Sequence, residues 1–478
     1  MSYDAPHDCR PEQSCARAEA HDLKAEQAHP RWVLAMSILA SSLPFIDGSI
    51  VNVALPAIRA DLAASAAETQ WAVNAFTLPL AALLMLGGAL GDRYGRRKLL
   101  VIGVVLFGLA SLLCALVPTL PALIVGRAGQ GIGGALLLPN SLALLNGAFS
   151  GKARGRAVGA WAAAGAASGA LAPLAGGWLV ENFGWPSIFW LLIPISVAAA
   201  TLALWKTQEV RRAGDVPTDY AGAGTATLAL AGITLALTFW SASGAFDWRV
   251  AASLAFGLVL AVVFFGIESR KSETAMMPLA LFGGTCVVSL NLLTFLLYGA
   301  LGGMLLILPY LLIESAGYSP TMAGLAIMPF PLLIGLGSPL MGGMAQRTGV
   351  RLPLTIGPLI VAGGLLLGLR IGPESSYWTS ILPSIAAIGI GMAIAVAPLT
   401  SAVMAAVEDS YTGTASGLNN AVSRTGGLIA VALMGSVLAM SGEALFDGFH
   451  AALYAMAGAA ALAGATGWFG LKQLDAKA

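Results

Sequence analysis

Apolar runs of about twenty residues recur along this chain from residue 31 onward, and nearly all of the charge there lies in the short stretches between them. About twenty apolar residues in a helix reach across a hydrocarbon core about 30 Å thick. Only 10% of the 478 residues are charged and 57% are hydrophobic, whereas a soluble domain carries about 25% charge. That is too little charge to cover a water-facing surface. In lipid a helix satisfies its own backbone, so the expected fold is an all-α polytopic membrane protein. Fourteen candidate spans can be marked: 32–53, 70–91, 99–117, 121–145, 157–180, 186–206, 220–240, 249–267, 285–312, 321–344, 352–371, 378–404, 414–438 and 449–471.

An even number of spans puts both termini on one side, and lysine and arginine choose the side. With the N-terminus cytoplasmic, twenty of the 25 basic residues fall on the cytoplasmic side and three (Arg59, Arg249 and Arg370) on the other. Arg127 and Arg424 lie within spans. The expected location is therefore the inner, cytoplasmic membrane, with both ends inside the cell. Residues 1–30 are polar, lack the apolar core of a secretory signal, and read as a disordered cytoplasmic tail, with the first span directing insertion.

The glycines reveal a repeat. In "GGALGDRYGRR" (87–97) and "MGGMAQRTGVR" (341–351), Gly88, Arg93, Gly95 and Arg97 match Gly342, Arg347, Gly349 and Arg351 at an offset of 254. In "GRAVGAWAAAGAASG" (155–169) and "GTASGLNNAVSRTGG" (413–427), Gly155, Gly159 and Gly169 match Gly413, Gly417 and Gly427 at an offset of 258. Each pair lies eight spans apart, so the halves run parallel, as in a family of transporter architectures. The expected plan is an N-terminal six-helix bundle (31–212), two linker helices (213–275), a C-terminal six-helix bundle (276–472) and a short cytoplasmic tail (473–478).

Two charges are costly where they stand. Asp47, in "PFIDGSIVNVALP", lies in the first span, and such an acid costs about 2.5–3.5 kcal/mol at the bilayer centre by insertion scales. Arg127, in "RAGQGIGGALLLP", lies in the fourth. Counting about 1.5 Å per residue puts both about 9 Å below the outer end, a depth at which an acid and a base pair or share a wet cavity. Burial favours the neutral form of Asp47 and a nearby guanidinium the charged form, so the pair is a candidate for proton coupling. Arg424 is a second intramembrane cation, with no obvious acid partner in the second half. With Asn52, Asn74, Asn140, Trp161, Asn291, Tyr298 and Asn420, it is a candidate for the wall of a central, largely apolar cavity.

The loop "GDRYGRRKLL" joins spans two and three. Gly88, Asp92, Arg93, Gly95, Arg96 and Arg97 form a cluster able to hold bundles together in one conformation and release them in another. The spacing from Gly88 to Arg97 closely resembles the signature loop of the major facilitator superfamily. "RAGQGIGGALLLP" resembles that superfamily's fourth-span motif, in which the arginine is implicated in proton movement. "GALAPLAGG" (169–177), with Gly169, Pro173, Gly176 and Gly177, resembles its antiporter motif, although Ala172 and Ser168 stand where that motif has glycine. "FIDGSIVNVALP" and "GTASGLNNAVSRTGGLIAVAL" (413–433) resemble the first and thirteenth spans of the fourteen-span drug:proton antiporters. The resemblance covers residues 31–471. One departure is Gln346, which stands where Asp92 would repeat. It implies alternating-access export of lipophilic, neutral or monocationic drug-like compounds in exchange for protons, with the 88–97 loop latching the outward-facing state. A dedicated exporter of an endogenous antibiotic, siderophore or amino acid has the same fold.

Other classes fit poorly. "GQGIGG" (129–134) lacks the strand and the later acid of a dinucleotide site, and "GAFSGKA" (147–153) lacks the spacing and the hydroxyl of a phosphate loop. Three of the four histidines lie in the N-terminal tail, and the four cysteines (Cys9, Cys15, Cys114 and Cys286) have no zinc spacing. No cofactor, no metal and no enzyme activity is expected, with the proton as the coupling ion. A net charge of +1 suggests no nucleic-acid partner. The expected partners are a hydrophobic small molecule, protons and the bilayer, with the chain acting as a monomer.

Overall fold

The computed structural model describes residues 30–210, 219–271, 285–407 and 412–471. Among them the chain is helical and contains no strand. The long helices are α1 (Pro30–Asp61), α2 (Ala66–Tyr94), α3 (Arg96–Leu116), α4 (Leu120–Ala148), α5 (Gly151–Phe183), α6 (Ser187–Lys206), α7 (Tyr220–Ser243) and α8 (Trp248–Lys271). The second half contains α9 (Thr285–Glu314), α10a (Pro320–Ile327), α10b (Pro329–Thr348), α11 (Arg351–Leu367), α12 (Leu382–Ala405), α13 (Thr412–Leu433) and α14 (Glu443–Gly470). Taking α10a and α10b as one span gives fourteen. Thirteen are long and apolar enough to cross a membrane. The fourteenth, α13, is comparable in length but carries Asn419, Asn420, Ser423, Arg424 and Thr425.

Local chemistry sets the helix ends. Ser65 and Glu68 form a reciprocal capping box at the start of α2. Gly95 divides α2 from α3 at φ 112°, a conformation open to glycine and costly for other residues. Pro329 and Pro331 follow the break at Met328 between α10a and α10b, as expected where proline withholds a backbone donor. The first helix runs further than the 32–53 span expected from hydropathy. It continues to Asp61, so Arg59 belongs to its last turn rather than to a loop.

The packing repeats as the glycines do. In the first half α1 packs on α5 and α6, α3 on α4 and α6, and α2 on α4. In the second half α9 packs on α13 and α14, α11 on α12 and α14, and α10b on α12. Each pairing in one half recurs eight spans later in the other. The halves meet where α5 packs on α10a and α10b, where α13 packs on α2, and where α1 approaches α9. The hairpin of α7 and α8 stands between them in sequence, and α7 packs on α2 and α13.

Among the described residues, polar contacts join the halves at one end. Gly95 marks what is called here the loop end. At the opposite end Arg59 donates to the Tyr310 hydroxyl and, at 2.9 Å, to the Leu438 carbonyl. Gln70 donates to the Val431 carbonyl at 2.8 Å, and the Thr321 N–H donates to Glu181 at 3.3 Å. Gly177 lies on the Pro320 backbone and Gly324 on the Pro173 backbone, so close that neither leaves room for a Cβ. At the loop end, among the described residues, no hydrogen bond or ion pair joins the halves. Much of α5 there is exposed, including Gly155, Gly159, Ala160 and Ala163. The conformation is closed at the opposite end and open at the loop end.

Candidate functional site

Asp47 and Arg127 meet inside the first half, fully buried at 0% and 1% side-chain exposure. Arg127 Nη1 lies 2.6 and 2.7 Å from the two Asp47 carboxylate oxygens. The same nitrogen lies 2.6 Å from Gln130 Oε1, and Nε donates to the Ala72 carbonyl at 2.7 Å. The guanidinium also sits over the Phe76 ring, 4.6 Å from its centroid, and 5.8 Å from that of Phe189. Gln130 donates in turn to Ser111 at 2.8 Å. A buried charge is tolerated only when paired and hydrogen-bonded, and this network does both. Gln130 and Phe76 were not among the residues singled out in the sequence. Gln130 lies three residues beyond Arg127, hence on the same helix face, and that spacing was the available signal.

Glycine allows the helices to approach closely around this pair. Gly131 lies on the Phe76 backbone, and Gly87 on the Ala135 carbonyl, with no room for a Cβ at either position. The "GQGIGG" glycines are therefore packing faces of α4.

A cavity of about 210 Å³ lies between the halves. Its wall comes from α1 (Phe45, Gly48, Ser49, Asn52, Val53), α5 (Gly165, Ala166, Gly169, Pro173), α9 (Leu305, Pro309) and α10 (Ile327, Phe330, Pro331, Ile334). It exceeds the roughly 150 Å³ of an apolar cavity that holds benzene. No lining residue is charged. On α1 the cavity takes the stripe Phe45, Gly48, Ser49 and Asn52, while Asp47 faces the interior of its own bundle. The Asn52 amide oxygen is buried without a hydrogen-bond partner.

The other expected wall residues separate into three groups. Asn140 ties α4 to α2 by donating to the Gly87 carbonyl at 2.9 Å, and it presses on Gly91. Trp161 donates to Ser41 at 2.9 Å and so ties α5 to α1. Asn291 is buried on α9, where Asn419 of α13 donates to Thr294 at 2.7 Å and approaches Asn291 at 3.4 Å. These three serve helix contacts. Asn74 is buried with neither amide atom hydrogen-bonded. Asn420 is exposed, and Arg424 and Tyr298 are half-buried.

The 88–97 cluster works within the first half in this conformation. Asp92 pairs with Arg96 at 2.8 Å. Arg97 donates to the carbonyls of Ala203 and Leu204 at the end of α6, where cations suit the helix dipole. Glu209 accepts from the backbone N–H groups of Arg97 and Lys98, both at 3.0 Å, and so caps α3. Arg93 stacks on Tyr94, and Gly88 packs against Pro139 of α4. The side chains of Gln346 and Arg347, in the matching loop of the second half, lie outside the described residues. On α5, Gly169 and Pro173 line the cavity, Gly176 packs on Ile50, and Gly177 meets α10a.

Comparison with known proteins follows this geometry. Residues 37–290 and 290–477 match the sequence profile described as the Major Facilitator Superfamily. The chain is 33% identical over 396 residues to "Multidrug resistance protein Stp" of Mycobacterium tuberculosis, covering 83% of this chain and 73% of that one. It is 31% identical over 439 residues to "Puromycin resistance protein pur8" of Streptomyces alboniger, covering 90% and 86%. Among solved structures, the POT family transporter PepTSo superimposes with a TM-score of 0.71 at 16% identity, over 94% of this chain and 99% of that one. At that identity the likeness concerns the fold alone. The bundled halves, the buried pair and the whole-length match agree: this chain belongs to the major facilitator superfamily.

Proposed function

We propose that this protein is a secondary active exporter of lipophilic drug-like compounds, driven by protons moving in the opposite direction. The observation that carries the reading is a buried, isolated Asp47–Arg127 pair beside an apolar cavity that lies between two repeated halves. The names of its relatives, a multidrug resistance protein and a puromycin resistance protein, point the same way. Both termini are assigned to the cytoplasmic side of the inner membrane, so the loop end faces the cytoplasm and the state described above opens inward.

The pair suits proton coupling. Protonating Asp47 removes the charge that holds Arg127. The guanidinium then retains Gln130, the Ala72 carbonyl and the Phe76 face, so the pair can part without leaving a bare buried cation. Inward proton movement draws about 2.3 kcal/mol per charge from each 100 mV of membrane potential. The drug occupies the cavity while the halves rock, and the 88–97 loop joins the halves when the cytoplasmic end closes. The transporter works as a monomer and needs no cofactor.

The test is ethidium efflux from cells expressing wild type or Asp47→Asn at equal levels, with and without a protonophore. Wild type is expected to pump ethidium, and both the protonophore and the substitution are expected to abolish pumping. An Asp47→Asn variant that still pumps against a gradient refutes the coupling role. A wild type that moves no dye refutes the drug-exporter reading.

A further inference from the structure

Arg424 is the intramembrane cation that the Asp47–Arg127 pair leaves unexplained. Among the described residues it forms no ion pair, and its Nε is buried with no hydrogen-bond partner. A buried guanidinium nitrogen without an acceptor is costly, and the cost persists where function requires it. The notable neighbour is Tyr298, close enough for the two groups to interact electrostatically.

Helix phase places both at the central space. On α9, Leu305 and Pro309 line the cavity. Tyr298 lies seven residues before Leu305, on the same face two turns nearer the loop end. On α13, Gly426 and Gly427 pack on α9 at Gly299 and Gly302. Arg424 borders that contact stripe, and Asn420, one turn nearer the loop end, is exposed. The central space therefore has an apolar compartment at Phe45, Pro309 and Phe330, and next to it a cationic one at Arg424. The buried acid Asp47 is engaged by Arg127 and faces away.

We propose that Arg424, with the Tyr298 hydroxyl, forms a subsite for an anionic or strongly hydrogen-bond-accepting group on the exported compound. A carboxylate or phenolate is received there while its apolar body fills the adjoining cavity. Charge-assisted hydrogen bonds from a guanidinium to a carboxylate are about twice as strong as neutral ones. The subsite favours lipophilic acids and acceptor-bearing neutral compounds over cations at this position. The inference deepens the exporter reading and rests on it for the direction of transport.

The test uses two dyes built on one xanthene ring system: fluorescein, which carries a carboxylate, and cationic rhodamine 123. Binding to the purified protein is read by fluorescence anisotropy for wild type, Arg424→Gln, Arg424→Lys and Tyr298→Phe. Fluorescein is expected to bind wild type, to weaken at least tenfold in Arg424→Gln and a few-fold in Tyr298→Phe, and to recover partly in Arg424→Lys. Rhodamine 123 affinity is expected to stay constant or rise in Arg424→Gln. Wild type that does not bind fluorescein, or an Arg424→Gln loss equal for both dyes, overturns the subsite. Should Arg424→Gln fail to fold, an equal loss of both dyes in Tyr298→Phe overturns it, and a loss confined to fluorescein supports it. Uptake into proteoliposomes under a pH gradient is measured in parallel. Dye-selective binding without gradient-driven movement of either dye leaves the subsite standing and removes the exporter reading.

Discussion

The Asp47–Arg127 pair allows its structural and coupling roles to be separated by a double-substitution cycle. Asp47→Asn leaves a buried guanidinium without its anion, and Arg127→Gln leaves a buried carboxylate without its cation. Breaking a buried pair from one side costs about 3–5 kcal/mol. Asp47→Asn belongs at the low end, because Gln130 at 2.6 Å and the Ala72 carbonyl at 2.7 Å still accept from Arg127, and a desolvated cation–π contact such as that with Phe76 contributes about 2 kcal/mol. Arg127→Gln belongs at the high end, because Arg127 Nη1 donates to both oxygens of the buried Asp47 carboxylate. In the double variant two amides replace the charges and no unpaired ion remains, so about 2–3 kcal/mol of the summed loss is recovered, within the range measured for contacting residues. Equilibrium unfolding in mixed detergent micelles measures each stability, and proton-driven dye transport in proteoliposomes measures coupling. The expected outcome is a double variant about 2–3 kcal/mol more stable than the summed single losses allow, and unable to couple. Additive losses, or single losses below about 1 kcal/mol, refute the claim that burial makes the two charges interdependent.

Two further outcomes follow from other contacts. Gly177→Leu places a side chain against the Pro320 backbone where a Cβ has no room, so it wedges α5 from α10a. In a background without native cysteines, a cysteine at Ser49 on the cavity wall is expected to react about tenfold faster with an impermeant maleimide added on the side opposite the loop end. An unchanged rate shows that this contact does not seal that end. Asp219, at the start of α7, accepts from the Gly222 N–H at 2.6 Å and pairs with Lys271 of α8 at 2.5 Å. Burial pushes its carboxyl up, but Lys271, the Gly222 N–H and Glu268 together hold it below the usual carboxylate range. A lowered value in the folded state gives stability that is present above the unfolded value of about 3.9 and is lost as pH falls through the folded value. Asp219→Asn is therefore expected to cost about 1–2 kcal/mol at pH 7, discounted for the partial exposure of Lys271, and less at an acid pH below that unfolded value. A gap in unfolding midpoint that is the same at both pH values refutes this account.

Much of the site could be read from sequence because helix rise is fixed. Six residues from the end of an apolar span is the same depth in any helix, so the sequence alone puts Asp47 and Arg127 at one level, and the structure pairs them. The glycine repeat likewise anticipated packing that recurs eight spans later, since glycine marks where backbones approach. Facing was harder to read. Asn140, Trp161 and Asn291 have the chemistry of cavity residues but serve helix contacts, because the rotation of a helix about its axis is set by its neighbours. When an apolar sequence surrounds the helix, lipid-facing and protein-facing sides carry the same residues, and periodicity loses its signal. The same ambiguity hid Gln130 and left the face of Asp47 undetermined.

The sequence by itself determined that the chain crosses a membrane about fourteen times, that its halves repeat in parallel, and which few charges are buried in it. These follow from hydropathy, length and chain direction, which are local. Only the tertiary structure decided that Asp47 turns from the cavity into its own bundle and that Arg424, among the described residues, forms no ion pair. It also decided that the halves close at the end opposite the 88–97 loop. Those facts depend on how helices rotate and tilt against one another, and that is fixed by contacts between residues far apart in the chain.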